Sequence, residues 1–103
     1  MLFIETPTFT KQIVTLLPDD AYRELQSALM ANPDAGDLIK GGGGIRKLRW
    51  GRPGGGKSGG IRTIYFWRKE HDQILMLVAY PKSSKDNLTV KEATVLRDLV
   101  KEL

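Results

Sequence analysis

All eleven glycines of this 103-residue chain lie between Gly36 and Gly60. Glycine loses more backbone entropy on folding than any other residue, so a chain that concentrates it in one interval must gain something local there. The expected gain is close approach of the backbone to a phosphate-rich ligand. The loops of this interval must be carried by a well-packed remainder, because a small domain is stable by only about 5–15 kcal/mol.

The same interval carries most of the positive charge. Residues 38–69 contain nine of the sixteen Lys and Arg residues and none of the twelve Asp and Glu residues. The rest of the chain is therefore acidic, with seven basic residues against twelve acidic ones. A large field of one sign indicates an anionic partner, and nucleic acid is favoured because glycine and the planar Arg side chain both suit a phosphate backbone.

Composition excludes several classes of protein. The length and an apolar fraction of 41% fit a single domain over residues 1–103. The absence of cysteine removes disulfides, thiolate zinc sites and a Cys nucleophile, and one histidine makes a metal centre or other cofactor unexpected. The first residues lack the basic start of a signal peptide, and no apolar run approaches the roughly 20 residues that span a bilayer. We therefore expect a cytoplasmic protein without membrane contact.

Hydrophobic periodicity predicts an α+β domain. The pattern favours the element order β-α-α-β-β-β-α, with an αα-hairpin and a C-terminal helix packed on a mainly antiparallel four-stranded sheet. A basic Gly-rich loop at about 51–60, expected to be flexible, separates the second and third strands. The predicted strands are 2–5, 45–50, 61–68 and 74–80; the helices run from Thr6-Pro7 to Pro18, from there to Asn32-Pro33, and from a capping box at Thr89 and Glu92 to the end.

Residues 51–58 (GRPGGGKS) match the phosphate-binding pattern GxxxxGK[ST] of nucleotide-binding proteins. That pattern works only when a helix follows it, because the amino end of the helix supports the phosphates. Here Gly59 and Gly60 lead into IRTIYFW, which is typical of a strand. We therefore reject a nucleotide-binding loop and interpret the match as a consequence of composition.

The strand order predicts where the basic residues meet. The loop that enters Ile61 and the segment that leaves Tyr80 lie at the same end of a β-hairpin, so Lys57, Arg62, Lys82 and Lys85 can converge there. Such a cluster would bind a phosphodiester, stabilise charge on a pentacoordinate phosphorus and depress the pKa of one lysine. Further RNA-binding candidates are Arg46, Lys47, Arg49, Arg52 and Lys85. The alternative is that these side chains are solvated charges that protect strand edges.

Other residues are weaker candidates. His71 lies in the turn between the last two strands, opposite the basic end, and is expected to be a surface residue. The strand aromatics are expected to pack in the core. Trp50, flanked by Arg49 and Arg52, is the better candidate for stacking on a base.

Four segments together resemble the HigB branch of the RelE superfamily of bacterial toxins. These segments are 32–39 (NPDAGDLI), 43–50 (GGIRKLRW), 56–65 (GKSGGIRTIY) and 80–82 (YPK). The resemblance spans nearly the whole chain and implies a toxin that cuts mRNA in the ribosomal A site. It also implies a cognate antitoxin, which we expect to be a small helix-turn-helix protein. We expect the toxin to contact operator DNA only through its complex with this antitoxin.

The resemblance assigns roles by position. Lys57 matches a basic loop residue that takes part in proton transfer, Arg62 matches the arginine that stabilises the transition state, and Lys82 matches the basic position after the last strand. The late base-stacking tyrosine of RelE has no counterpart after Tyr80. Either Tyr80, Tyr65 or Trp50 takes over the stacking role, or the base is held less firmly. The resulting hypothesis is a ribosome-dependent, metal-independent mRNA endonuclease. One alternative is a non-catalytic module that blocks translation by occupying RNA or the ribosome. The other is an interaction protein whose basic face only holds an acidic partner.

Overall fold

A computed structural model describes residues 1–53 and 60–103 of the chain. The described part is an α+β fold of three helices and one five-stranded sheet. The elements in chain order are β1 (Leu2–Glu5), α1 (Pro7–Leu16), α2 (Asp19–Ala31), β2 (Asp37–Leu38), β3 (Arg46–Trp50), β4 (Ile61–Arg68), β5 (Gln73–Pro81) and α3 (Val90–Val100), with one 3-10 turn, Lys69–His71, between β4 and β5.

The helix boundaries follow their capping residues. Thr6 precedes α1, and its hydroxyl accepts a hydrogen bond from the Phe9 amide at 3.0 Å. Thr89 and Glu92 form the reciprocal capping box that the sequence predicts for α3. Each cap satisfies amides that the first helical turn leaves without partners. The predicted starts of these two helices are confirmed.

The sheet has one strand more than the sequence predicts. The strand order is β1-β5-β4-β3-β2, and the added strand β2 is a two-residue edge that pairs antiparallel with β3. The prediction of four strands is therefore wrong, because two residues are too few to show any periodicity. The other predicted strands are present within one residue at each end, and β5 lies inside the sheet, as its apolar sequence predicts.

Strand β1 makes the sheet mixed. It pairs parallel with β5, from Leu2 opposite Gln73 to Glu5 opposite Met76, whereas the other three strand pairs are antiparallel. Beyond Met76 the edge of β5 is covered by the side chains of Thr6, which precedes α1, and Gln12, which lies within α1. The Thr6 hydroxyl donates to the Leu77 carbonyl at 2.7 Å, and the Gln12 side-chain oxygen accepts from the Ala79 amide at 2.8 Å.

The two faces of the sheet bear separate apolar clusters. Helices α1 and α2 pack on one face, which we call the α1–α2 face, and helix α3 packs on the other, the α3 face. The first cluster comprises Phe9, Ile13, Leu17, Ala21, Leu25, Leu29, Ile61, Tyr65, Ile74, Met76 and Ala79. The second comprises Ile45, Ile64, Leu75, Leu77, Tyr80, Leu96 and Val100.

The described glycines serve the fold itself. Gly44 has φ +107°, which side-chain-bearing residues rarely adopt, in the turn between β2 and β3. A Cβ on Gly60 would lie 2.0 Å from the Trp50 carbonyl oxygen, so only glycine fits where β4 begins beside the end of β3. At Gly60 the close approach is to the chain's own backbone, and at Gly44 it is to the Phe66 side chain. Four glycines of the interval, with Lys57 and Ser58, lie in residues 54–59, outside the described residues.

Candidate functional site

Three residues that share one face of the sheet form a row across its centre. Arg49 of β3 lies opposite Arg62 of β4, and Arg62 lies opposite Tyr80 of β5. Residues paired in this way project to the same face, and alternation along β3 adds Lys47 to that face. We call Lys47, Arg49, Arg62 and Tyr80 the basic row. It lies on the α3 face, at the end of the sheet where β4 begins and β5 ends.

Arg62 is the most enclosed cation of the basic row. Its side chain is only 2% exposed, and its Nε donates to the Asp86 carboxylate at 2.9 Å. Its Nη1 donates to the Ile61 carbonyl at 3.1 Å. Two guanidinium groups on adjacent strands repel each other, so a nearby carboxylate compensates for placing Arg62 beside Arg49.

The partner carboxylate, Asp86, lies at the surface above Arg62. Its side chain is 45% exposed. The Arg62 guanidinium holds the pKa of Asp86 below its usual value, mainly through their direct hydrogen bond, with smaller contributions from the positive charges of Lys47 and Arg49. Asp86 is therefore an ionised carboxylate in the place where an anionic ligand would meet Arg62.

The segment from Lys85 to Asn87 is tied to the basic row at further points. Lys47 donates from Nζ to the Asn87 side-chain oxygen and, at 3.4 Å, to the Asp86 carbonyl. The Tyr80 hydroxyl also donates to the Asp86 carbonyl, at 3.4 Å. Burial raises the pKa of Tyr80, which keeps this phenol protonated and able to donate.

These contacts correct one expectation from the sequence. The alternative interpretation of the basic candidates as solvated charges is wrong for Lys47, which is only 8% exposed. The reason is that residues after β5 fold back over the end of the sheet and supply Lys47 with oxygen acceptors. Burial of a polar group requires such hydrogen-bond partners.

The remaining predicted cations at this end lie after β5. Lys85 pairs with Glu92 of α3 and sits 5.3 Å from the centre of the Tyr80 ring. The Lys82 amide donates to the Gly60 carbonyl at 3.0 Å, which extends the β4–β5 pairing by one step. Lys82 therefore lies beside the end of the Gly-rich loop. Lys57, the third predicted catalytic residue, falls outside the described residues.

Three predicted site residues lie on the opposite, α1–α2 face or near it. Arg46 donates from Nη1 to the Gly36 carbonyl at 2.8 Å and to the Asp34 carbonyl at 3.2 Å. Trp50 packs against the α1–α2 cluster, and Arg52 lies with it at a surface hollow beside the start of α2. The structure thus brings Lys47, Arg49, Arg62, Tyr80, Lys82 and Lys85 to one end and face of the sheet, or to its edge, and separates Arg46, Trp50 and Arg52 from them.

Sequence reasoning missed the acidic and amide residues of this site. Asp86 and Asn87 bind predicted cations, yet they follow Lys85 in a segment without periodicity, and Glu92 was predicted as a capping residue but not as the partner of Lys85. The one available signal is that the first acid after Lys82 comes just beyond the strand that carries Tyr80. Predicting its partner would have required the register of β4 against β5.

His71 and the strand after the Gly-rich loop agree with the sequence predictions. His71 is exposed in the turn at the far end of β4 and β5 from Arg62. A strand, β4, begins directly after Gly60, so the match to the nucleotide-binding pattern leads into a strand instead of a helix. Among the described residues, no helix has the length and apolar character needed to cross a membrane.

Comparison with known protein families is consistent with this arrangement. Residues 16–103 match the family model described as the RelE toxin of the RelE / RelB toxin-antitoxin system. The match covers both β-hairpin strands, helix α3 and every described residue of the basic row. A family of this kind implies a cognate antitoxin as partner. The chain belongs to the RelE toxin family and is the toxin of a toxin–antitoxin system.

Proposed function

We propose that this toxin is a ribosome-dependent, metal-independent mRNA endonuclease of the HigB branch. The single observation that carries the proposal is the basic row, in which Arg49 and Arg62 are register partners at the sheet end where Lys82 meets Gly60. Cations gathered on one face can hold a phosphodiester and stabilise the added negative charge of its transition state.

The proposed reaction uses a nucleophile that the RNA supplies. The 2′-hydroxyl attacks the adjacent phosphorus, forming the 2′-O–P bond while the P–O5′ bond breaks. The proton of the 2′-hydroxyl passes to a basic side chain, and the departing 5′-oxygen gains a proton. The products are a 2′,3′-cyclic phosphate and a 5′-hydroxyl, and no oxidant, reductant or cofactor enters the balance.

The family resemblance supplies the roles of three residues. Arg62 is assigned to the charge that develops on phosphorus, Lys57 is assigned to proton transfer, and Lys82 matches the basic position after the last strand. The hydrogen bond from the Lys82 amide to the Gly60 carbonyl supports the assignment of Lys82, because it holds Lys82 at the sheet end where Arg62 lies. Lys47, Arg49 and Lys85 are proposed to guide the RNA backbone to this end of the sheet.

Dependence on the ribosome follows from the residue types. A cluster without histidine has no side chain that titrates near neutral pH without assistance. Orientation of the scissile phosphate by the ribosomal A site can replace part of that assistance, since positioning alone can lower the activation barrier by about 7–11 kcal/mol. Slow cleavage of naked RNA and fast cleavage on ribosomes is the expected pattern.

The proposed partners follow from the same function. The cognate antitoxin is proposed to be a small helix-turn-helix protein that blocks the basic row, and operator DNA is proposed to bind only through the toxin–antitoxin complex. The site of action is the cytoplasm, where the ribosome presents its A site and the mRNA.

Inducible expression tests the assignment. Wild type and the variants Lys57→Ala, Arg62→Ala and Lys82→Ala are expressed in cells, and growth and mRNA 5′ ends are followed. We expect arrest and new 5′-hydroxyl ends only with wild type, and full toxicity in all three variants would reject the site. Thermal melting of each variant, purified with its antitoxin, separates loss of function from loss of fold.

One observation favours the alternative, a non-catalytic module that blocks translation by occupancy. The Arg62–Asp86 pair neutralises the cation assigned to the transition state. Under this alternative the toxin binds RNA or ribosomes with steep salt dependence but creates no new RNA ends. Primer extension on transcripts from induced cells decides between the two.

A further inference from the structure

A cleft opens beside the basic row, between α3 and the upper part of β5. Its volume is about 370 Å³, within the range of sites that take small organic groups. Its walls are largely apolar, from Val78 of β5 and Leu88, Val95 and Leu96 at and before α3. Tyr80 of the basic row forms part of the same wall, so the cleft continues directly from the candidate phosphate site.

The polar groups of this cleft include one amide whose orientation is fixed. Gln12 of α1 also lines the cleft, and its side-chain oxygen accepts the Ala79 amide hydrogen bond at 2.8 Å. A backbone amide can only donate, so the atom that meets it must be the Gln12 oxygen. The Gln12 NH₂ group must therefore be the free end, and none of the described residues accepts a hydrogen bond from it.

The rim of the cleft is positively charged. Lys91 lines it, and Lys85 does so beside its partner Glu92. An apolar slot with a donor group inside and lysines at its mouth complements a nucleotide, whose base is flat and apolar on its faces and whose phosphate is anionic. Single-stranded RNA is commonly recognised in this way, with splayed bases bound through their edges.

We propose that this cleft is a base-binding subsite for the RNA, and that Gln12 makes it selective for keto bases. The inference rests on the proposed RNA-binding function of the basic row. With a phosphate at Arg62, a neighbouring base enters the cleft beside Tyr80, and the Gln12 NH₂ group donates to its edge. Uracil O4 and guanine O6 accept such a bond, whereas cytosine and adenine place an amino donor at the equivalent position.

Uracil and cytosine provide the sharpest probe of this preference. The two bases have the same ring size. They differ at position 4, where uracil has an oxygen acceptor and cytosine an amino donor, and at N3, which donates in uracil and accepts in cytosine. One hydrogen bond corresponds to about a two- to tenfold difference in affinity. Wild type should therefore bind oligouridine about two- to tenfold more tightly than oligocytidine.

The decisive variant is Gln12→Glu. A carboxylate can still accept from the Ala79 amide, so the local fold is retained, but its second oxygen is now an acceptor in the cleft. We expect the preference to reverse toward oligocytidine by a similar factor. The measurement is fluorescence anisotropy with short 2′-O-methyl oligonucleotides of equal length at low ionic strength, which the toxin is unable to cleave because the 2′-hydroxyl is blocked.

Two further variants serve as controls. Thr8→Glu adds the same charge at an exposed position of α1 outside the cleft. It should weaken the binding of both oligonucleotides equally and leave the ratio of their affinities unchanged. Val95→Trp, at a position that is 58% exposed, fills the cleft from α3 and should remove the preference without disturbing the core.

The outcomes separate this inference from the proposed cleavage. Equal affinity of wild type for the two oligonucleotides, an unchanged ratio in Gln12→Glu, or no binding to either would overturn the subsite. None of these results depends on whether the toxin cuts mRNA. Conversely, a reversed preference together with unaltered transcripts in cells would retain the subsite and reject the nuclease.

Discussion

The two faces of the sheet bury their residues by different means. The α1–α2 face is closed by apolar side chains from two helices, among them Phe9, Leu25 and Leu29, all with no exposed surface. The α3 face combines an apolar cluster with buried charge. Where β4 begins and β5 ends, this face buries the charged residues Lys47 and Arg62, which are covered by a short segment that supplies oxygen atoms.

The difference indicates that the two faces have different roles within one small domain. Burial of apolar surface stabilises the fold, whereas burial of cations under a few hydrogen bonds contributes little net stability. The basic row is thus placed on the rigid central strands without being the source of their rigidity. A site on such strands keeps its cations in fixed positions.

The largest expected effect contrasts one residue from each face. Leu25→Ala should lower the free energy of unfolding by about 2–5 kcal/mol, because it leaves a cavity in the α1–α2 cluster. Arg62→Met should lower it much less, because methionine fills similar space and the surface carboxylate of Asp86 can be hydrated. Urea denaturation measures both, and equal losses would contradict the contrast between the faces.

A smaller effect, on RNA affinity, is expected when Asp86, which covers the basic row, loses its charge. Asp86→Asn should tighten binding of 2′-O-methyl RNA by about two- to fivefold at low salt, as expected for removal of a partly exposed competing anion. Raising the salt concentration should reduce this gain. Anisotropy measurements over a salt series give both quantities.

The matched control for this variant is Asp98→Asn. Asp98 is an exposed acid of α3 that pairs with Arg97 and Lys101, outside the basic row. The change in net charge is the same, so an equal gain in affinity would show that Asp86 has no specific role. Lower cleavage with unchanged affinity in Asp86→Asn would instead make Asp86 a residue that positions Arg62.

The smallest effect concerns acid stability. The pKa of Asp86 is lower in the folded state than in the unfolded chain, so its ionisation stabilises the fold above the ordinary aspartate pKa of about 4. This contribution is lost as the pH falls through the lower, folded-state pKa. The stability difference between wild type and Asp86→Asn should thus be constant near neutral pH and vanish in acid. A difference that grows on acidification would contradict the assigned ion pair.

Local signals predicted much of the fold. Thr6 and Thr89 mark helix starts because their hydroxyls bond to nearby amides, and the apolar run of β5 predicts its internal place in the sheet. These interactions join residues close in sequence or depend on composition. The two-residue strand β2 gave no such signal, and neither did the parallel pairing of β1 with β5.

The candidate site was predicted only in outline. The hairpin order places Arg62 and Lys82 at one sheet end, but it does not reveal that Asp86 binds Arg62 or that Gln12 reaches the edge of β5. Those contacts join residues that are 24 and 67 positions apart. They depend on strand register and helix placement, which no local pattern encodes.

By itself, the sequence determined that positive charge and glycine concentrate in one interval and that helices and strands flank it, because composition, capping and periodicity act over a few residues. Only the tertiary structure decided which cations share a face, which are neutralised, and where a cleft opens beside them. The physical reason is that charge neutralisation and burial act through space, between residues that the antiparallel register and the packing of α3 bring together.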